Sequence, residues 1–311
     1  MSRGKVVVTG AGGFVCSEII CALARAGFEP IAVDRSFQAA VAERLAGLCR
    51  VTGAIPEVLS ELQEAAPLAV IHGAALTTVP DRLGITKADH VALNSELLTA
   101  TLRWARQNGA AKFVFLSSMG VFGPSDGPPQ NGLLTEMARP SRIDAYGAAK
   151  RAGELLTSAS AEVEFQTLSI RLGNVFGPHE TARDSRQVLS LISRLVANAQ
   201  CHDLIKLETP HAPREWCWLP DLADCIVNLI AEPFSQIGAV IHAGTPPIIE
   251  DLALARAVSM RVGNPQISFS TEPHAPVRAP MGHSIASAFD RLTWTPIALA
   301  LDQLIPERTL Q

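Results

Sequence analysis

No run of lysine and arginine occurs anywhere in these 311 residues, and a formal net charge of −4 leaves a pI near 6.1. Such a surface has little to hold a polyanion, so nucleic acid is not an expected partner. No apolar stretch is long enough to span a bilayer, so no membrane association is expected either. The short run Val6-Val-Val8 stops in a glycine loop, which makes it a buried strand and not the core of a leader peptide. The six cysteines (Cys16, Cys21, Cys49, Cys201, Cys217 and Cys225) include no Cys-x-x-Cys pair and no Cys/His spacing suited to zinc. A reduced, cytoplasmic protein without a metal site is therefore expected. Internal repeats and low-complexity tracts are absent as well. Aromatic side chains are scarce at 5%, and among them is a single tyrosine, Tyr146.

Apolar residues make up 48% of the chain and charged residues 18%, enough to bury a large core. Over the first 180 or so residues, β-rich apolar runs alternate with helix-length segments. Strands are expected at Lys5–Thr9, Pro30–Asp34, Leu68–His72, Lys112–Ser117 and Phe165–Arg171. Each is almost continuously apolar, as befits parallel strands covered on both faces. Helices are expected at Gly13–Ala26, Phe37–Leu48, Pro56–Ala65, Lys87–Asn108 and Ile143–Ala161. This alternation predicts an α/β fold: a doubly wound parallel (Rossmann) sheet. Beyond about residue 175, prolines recur from Pro178 to Pro280 and shorten the elements, which suggests a smaller C-terminal substrate domain. The expected division is 1–174 plus a returning strand at 239–248 for the dinucleotide-binding domain, and 175–238 with 249–311 for the other.

Directly after the first strand comes Gly10-Ala-Gly-Gly13, opening a helix at Phe14 and Val15. Glycines there let the backbone turn tightly and approach a pyrophosphate, which the helix N-terminus receives with free N–H groups. Cys16 stands where a third glycine is usual, in what reads as a packing role. The second strand ends at Asp34, twenty-four residues beyond Gly10, where a carboxylate accepts from the adenosine ribose hydroxyls and repels a 2′-phosphate. Arg35 beside it would attract that phosphate, or is simply an exposed charge. NAD is the expected cofactor, with NADP the less favoured choice.

Tyr146-Gly-Ala-Ala-Lys150 places a phenol and an ammonium on one helix face. A free tyrosine ionises only near pH ~10. A neighbouring ammonium and an oxidised nicotinamide both favour its phenolate, and so make it a usable base. The strand ending at Ser117 delivers Ser118-Met119-Gly120 to the ligand-facing edge of the sheet. There the Ser118 hydroxyl can position a reacting substrate oxygen, or merely cap the strand.

Five stretches together resemble the extended short-chain dehydrogenase/reductase family, in its NAD-dependent epimerase/dehydratase group: Thr9–Val15, Val70–Ala75, Ser117–Gly123, Tyr146–Lys150 and Arg171–Pro178. Arg214-Glu-Trp216 followed by Asp221 is similar to a sixth family block. The resemblance implies Ser118, Tyr146 and Lys150 as the catalytic residues, with Asn94 supporting the Lys150 region. It implies cofactor contacts from Gly10, Gly13, Phe14, Val15, Asp34, Arg35, Ala54, Ile55, Ala74 and Ala75, besides Tyr146 and Lys150. It further implies substrate contacts from Ser118, Met119, Asn174 and Arg214, and a homodimer formed through the helices at Lys87–Asn108 and Ile143–Ala161.

Three departures bear on the reaction. Met119-Gly120 carries none of the acid groups that dehydratases of the group place after the catalytic hydroxyl, which argues against sugar dehydration. Gly53-Ala54 stands where relatives have Gly-Asp. Leu207–Pro213 replaces a glycine-rich strand that lines the substrate pocket in relatives. Arg183 and Arg186 can meet an anionic substrate or sit exposed. His72 reads as a loop-positioning residue, and Trp216, Trp218 and Trp294 as packing. The sequence thus supports an NAD-dependent oxidoreductase moving a hydride at a hydroxyl-bearing carbon of a sugar, sugar acid or nucleotide sugar. A net dehydrogenase of a small polyhydroxy acid is the first alternative, and a non-catalytic NAD-binding sensor the second.

Overall fold

The computed structural model describes residues 2–63, 65–127, 132–182, 188–202, 204–263, 265–270, 276–282 and 294–305. The chain begins with β1 (Lys5–Thr9), α1 (Phe14–Arg25), β2 (Glu29–Asp34), α2 (Ala39–Arg44), β3 (Cys49–Thr52), α3 (Glu57–Ser60) and β4 (Ala69–His72). It continues through α4 (Pro80–Leu83), α5 (Lys87–Gln107), β5 (Lys112–Ser118), α6 (Ala145–Ala159), β6 (Gln166–Leu172) and β7 (Asn174–Phe176). Then follow α7 (Leu191–His202), β8 (Leu204–Leu207), β9 (Pro213–Trp218), α8 (Leu219–Ala231), β10 (Ala239–Ala243), β11 (Thr245–Glu250), α9 (Asp251–Arg261), β12 (Gln266–Phe269) and α10 (Ile297–Leu304).

Among the described residues, seven strands form one sheet in the order β10-β6-β5-β4-β1-β2-β3, every neighbouring pair parallel. The reason lies in β1 and β4, whose central residues are apolar on both faces: Val6, Val7, Val8, Val70 and Ile71 are all fully buried. Such strands need a helical layer on each side. One layer is α1 with α8, which share a core with Val6, Val8 and Ile71. The other holds α5 and α6, whose Leu98, Leu102, Trp104 and Leu156 pack with Val7, Val70 and Phe113. Burying each large aliphatic side chain in these layers stabilises the fold by about 1.5–3 kcal/mol.

The sequence-based boundary at 175–238 does not anticipate α8. Its apolar face (Leu222, Ala223, Ile226, Ile230) lies in the main core against α1, and the helix leads into β10, which pairs parallel with β6 in the main sheet. β10 does return to the sheet, beside β6. The edge strand β3 was not among the expected strands: Cys-Arg-Val-Thr is short and largely exposed, with no apolar run to mark it. The helices expected at Phe37–Leu48 and Pro56–Ala65 shrink to α2 and α3.

A smaller body gathers around β11-β9-β7 and the pair β12-β8. Its core joins Phe176, Ile192, Leu195, Trp216, Trp218, Leu254 and Leu301. Trp216 and Trp218 are thus packing residues, and Trp294 packs against the main core.

Candidate active site

In the main sheet the chain runs outward from β1 in both directions, so the connections leaving β1 and β4 diverge and open a crevice at their C-terminal ends. The glycine loop lies there, with Gly13 preceding the first turn of α1 and no acidic residue in that turn. Asp34, closing β2, turns its carboxylate back towards this loop: Oδ2 accepts the Gly12 N–H at 2.8 Å. Cys16 finds its room from the opposite loop. A side chain at Gly73, just beyond β4, would place its Cβ 2.3 Å from the Cys16 sulfur, so the glycine missing from α1 is matched by one after β4. Arg35 and Ala54 are exposed and Ile55 is half-buried at the ends of β2 and β3, while Phe14 is buried and Val15 half-buried in α1. A carboxylate anchored at the second strand and an uncharged helix N-terminus suit a dinucleotide with free ribose hydroxyls and a pyrophosphate.

Across the crevice, α6 starts behind Asp144, whose carboxylate accepts from the Gly147 N–H at 2.9 Å. Tyr146 and Lys150 follow on one face. Lys150 is buried, donates from Nζ to the Leu116 carbonyl at 2.7 Å, and lies 5.9 Å from the Tyr146 ring centroid. Burial lowers its pKa to about 8, while Cys16 and Glu154 act the other way. At neutral pH the group therefore remains an ammonium. The Ser118 oxygen ends β5 and accepts from Gly120 N at 3.0 Å. Gly120 is the hinge of the arrangement. A Cβ there would sit 3.0 Å from the Tyr146 ring and 3.2 Å from the Ser118 oxygen, so a side chain at this position would press on both groups and glycine leaves them room to flank the same spot.

Beneath this group lies a cavity of about 10 Å³, bounded by His72, Ala75, Asn94, Phe115, Tyr146 and Lys150 among others. That is room for one water. Asn94, on α5, accepts from Leu76 N at 2.9 Å and donates to the His90 carbonyl at 2.9 Å, bracing the loop that carries Ala74 and Ala75. His72 is driven down to about 3, by burial first and by Lys150 second. It stays neutral, bonded through Nδ1 to the Thr9 hydroxyl at 2.9 Å, which suits the positioning role expected of it.

Of the four expected substrate residues, Asn174 and Arg214 both bond within the protein. Asn174 donates to the Glu215 carbonyl at 3.0 Å and joins β7 to β9. Arg214 is engaged in a two-pronged pair with buried Asp251, at 2.6 and 2.9 Å, and also donates to Thr209. Its guanidinium therefore serves to fix α9 to β9. The guanidinium found beside Met119 is instead that of Arg278, which also contacts the fully buried Glu215 carboxylate. Sequence reasoning missed Arg278 because it sits in a proline-rich segment without periodicity. Arg183 and Arg186 lie outside the described residues. Among those residues, no group of three or more His, Cys, Asp or Glu is arranged to hold a metal.

Residues 6–244 match the NAD dependent epimerase/dehydratase family, and the chain belongs to it. It is therefore an NAD-using enzyme of that family. GDP-L-fucose synthase 1 of Arabidopsis thaliana is 25% identical over 259 residues, 80% of this chain and 76% of that one. An epimerase of the methanogen Methanothermobacter thermautotrophicus superposes with a TM-score of 0.82 at 23% identity, covering 97% of this chain and 91% of the other. MoeE5, solved with UDP-glucose and NAD, superposes with a TM-score of 0.76 at 22% identity, covering 97% of each chain.

Proposed function

We propose that the chain catalyses hydride transfer at a hydroxyl-bearing carbon of a sugar, sugar acid or nucleotide sugar, with Tyr146 as the acid/base. The observation that carries this reading is the meeting of Ser118 and Tyr146 at Gly120, with Lys150 5.9 Å from the Tyr146 ring, on the crevice edge opposite Asp34. NAD, when bound, accepts or returns the hydride. The Ser118 hydroxyl holds the substrate oxygen, Tyr146 removes or restores its proton, and the buried Lys150 ammonium stabilises the phenolate. The cavity water would link Lys150 to the Asn94 region and renew the proton. The glycine loop, Asp34 and the Ala74–Ala75 loop hold the cofactor. Met119 and Gly120 supply no acid for dehydration, so redox chemistry at the carbinol remains.

Net oxidation of a small polyhydroxy acid is the second reading. It is favoured by Leu207–Pro213, where Thr209 donates to Asp251 at 2.7 Å and closes the segment around Arg214. The test is absorbance at the reduced-nicotinamide band while NAD-loaded protein meets sugars, sugar acids and UDP-sugars. A steady rise with an acid or free sugar identifies a dehydrogenase. Epimer formation under a flat trace identifies an epimerase. No conversion of any of them would overturn the proposed substrate classes.

Asp34→Asn is expected to weaken NAD binding roughly tenfold and to narrow the preference over NADP, because the charge that repels a 2′-phosphate is gone. Fluorescence titration with both dinucleotides checks this; unchanged affinities would remove Asp34 from the cofactor site.

The outer faces of α5 and α6 support a homodimer. They border a groove lined by Thr99, Leu102, Arg103, Leu156 and Phe165, with Leu155 exposed beside it. Size-exclusion chromatography should show twice the chain mass, and a monomer would dismiss the dimer. The six cysteines stand as free thiols, and no helix among the described residues is long and apolar enough to cross a membrane; both suit a cytoplasmic enzyme.

A further inference from the structure

Glu154 follows Tyr146 and Lys150 at the same four-residue spacing on α6, yet it faces away from the crevice into the sheet. It receives Arg171 twice, at 2.8 Å on each carboxylate oxygen, and the Ser117 hydroxyl at 2.6 Å. The remaining arm of Arg171 reaches His242 on β10, NH1 to Nε2 at 3.3 Å. A guanidinium can only donate, so Nε2 of His242 must accept and the ring proton must reside on Nδ1. That Nδ1–H donates to the carbonyl of Gly282 at 2.7 Å.

Gly282 belongs to a strap, of which residues 276–282 are described, that packs over the loop following Ser118. Met281 is buried against Val121, Phe122 and Leu134, with Ala279 and Met119 beside them. Leu134 N donates to Pro280 O at 2.8 Å and Gly282 N to Leu134 O at 2.9 Å. Met281 N reaches Glu215 Oε2 at 3.1 Å, and Arg278 meets both Glu215 and Met119. Burial keeps His242 neutral, with its pKa lowered to about 4, and Phe122 closes the site edge-on at 5.7 Å. Glu136, which accepts from His242 N at 3.3 Å, is the acidic neighbour on the strap side.

We propose that His242 is a positioning residue whose Nδ1–H, oriented by Arg171, clamps the 276–282 strap over Met119 and so sets the wall of the substrate site. The clamp itself stands on the geometry alone; its effect on substrate rests on the function proposed above. One guanidinium thus registers both the helix bearing Tyr146 and the strap bearing Arg278.

The test compares His242→Asn, His242→Gln and His242→Leu in the full-length protein. Asparagine carries an amide at the position of Nδ1, glutamine one atom further out near Nε2. Hydrogen–deuterium exchange needs no substrate. In His242→Leu and His242→Gln, the Gly282 and Leu134 amides should exchange about tenfold faster, the equivalent of one buried hydrogen bond, and His242→Asn should restore most of the protection. If leucine does not fold, the asparagine–glutamine contrast decides. Equal protection in all variants, or equal loss in asparagine and glutamine, overturns the clamp. The second readout is KM for whichever of UDP-glucose, D-glucuronate or D-gluconate is turned over. It should rise about tenfold in His242→Gln with kcat and NAD affinity within about twofold, and recover in His242→Asn. Lost protection with an unchanged KM would show a clamp that does not shape the substrate site. If no probe is turned over, the function proposed above fails and the exchange data still decide the clamp.

Discussion

On the function proposed above, Tyr146→Phe will lower turnover by roughly 10²–10⁴-fold and leave NAD affinity within a few-fold, because it removes the oxygen proposed to exchange a proton with substrate. The ring stays in place against Gly120, whose missing side chain leaves it room. The Asp144 cap of α6 does not involve the hydroxyl. Stopped substrate assays with NAD binding measured separately check both halves. Retained turnover would remove Tyr146 from the chemistry. The chain offers an unusually clean companion measurement, since Tyr146 is its only tyrosine. The phenolate band in an ultraviolet difference titration therefore belongs to one residue, and Lys150→Met should move that titration to higher pH by removing the nearby ammonium.

What could be read in the sequence was whatever a short stretch carries by itself. Gly10–Val15, Asp34, Ser118 and Tyr146–Lys150 announce themselves because strand, turn and helix bring neighbours in sequence to one edge of a parallel sheet. The main strands were legible for the same reason: Val6–Val8 and Ala69–Ile71 are apolar without alternation, which only a doubly covered sheet explains. Arg214 shows the limit. Its motif suggested a substrate contact, and nothing in that motif foretold the ion pair with Asp251, thirty-seven residues further on. Arg278 reaches Met119 across 159 residues, and no periodicity in either segment foretells the meeting. His242 reaches Gly282 in the same way, and the meaning of both contacts appears only once β10 has returned to the sheet beside β6. Cys16 was readable as an oddity and not as a solution, because its counterpart is Gly73 on another loop.

Arg171→Met will destabilise the protein by about 3–5 kcal/mol, the ordinary result of stranding one member of a buried ion pair. Arg171 and Glu154 are 5% and 6% exposed, so solvent cannot replace the lost partner. The Glu154 carboxylate would keep the Ser117 hydroxyl but lose both guanidinium bonds. Thermal denaturation should show a fall in Tm of roughly 5–10 °C for a chain of this size. Adding Glu154→Gln to Arg171→Met should recover part of the loss, since an amide is far easier to bury without a counter-charge than a carboxylate. That recovery is the informative result. It would show that the single variant suffers from an uncompensated charge and not from a general loosening of β6. Two additive losses would mean instead that each side chain acts through separate packing, and the pair would then not be what joins the helix of Tyr146 and Lys150 to the sheet beneath it.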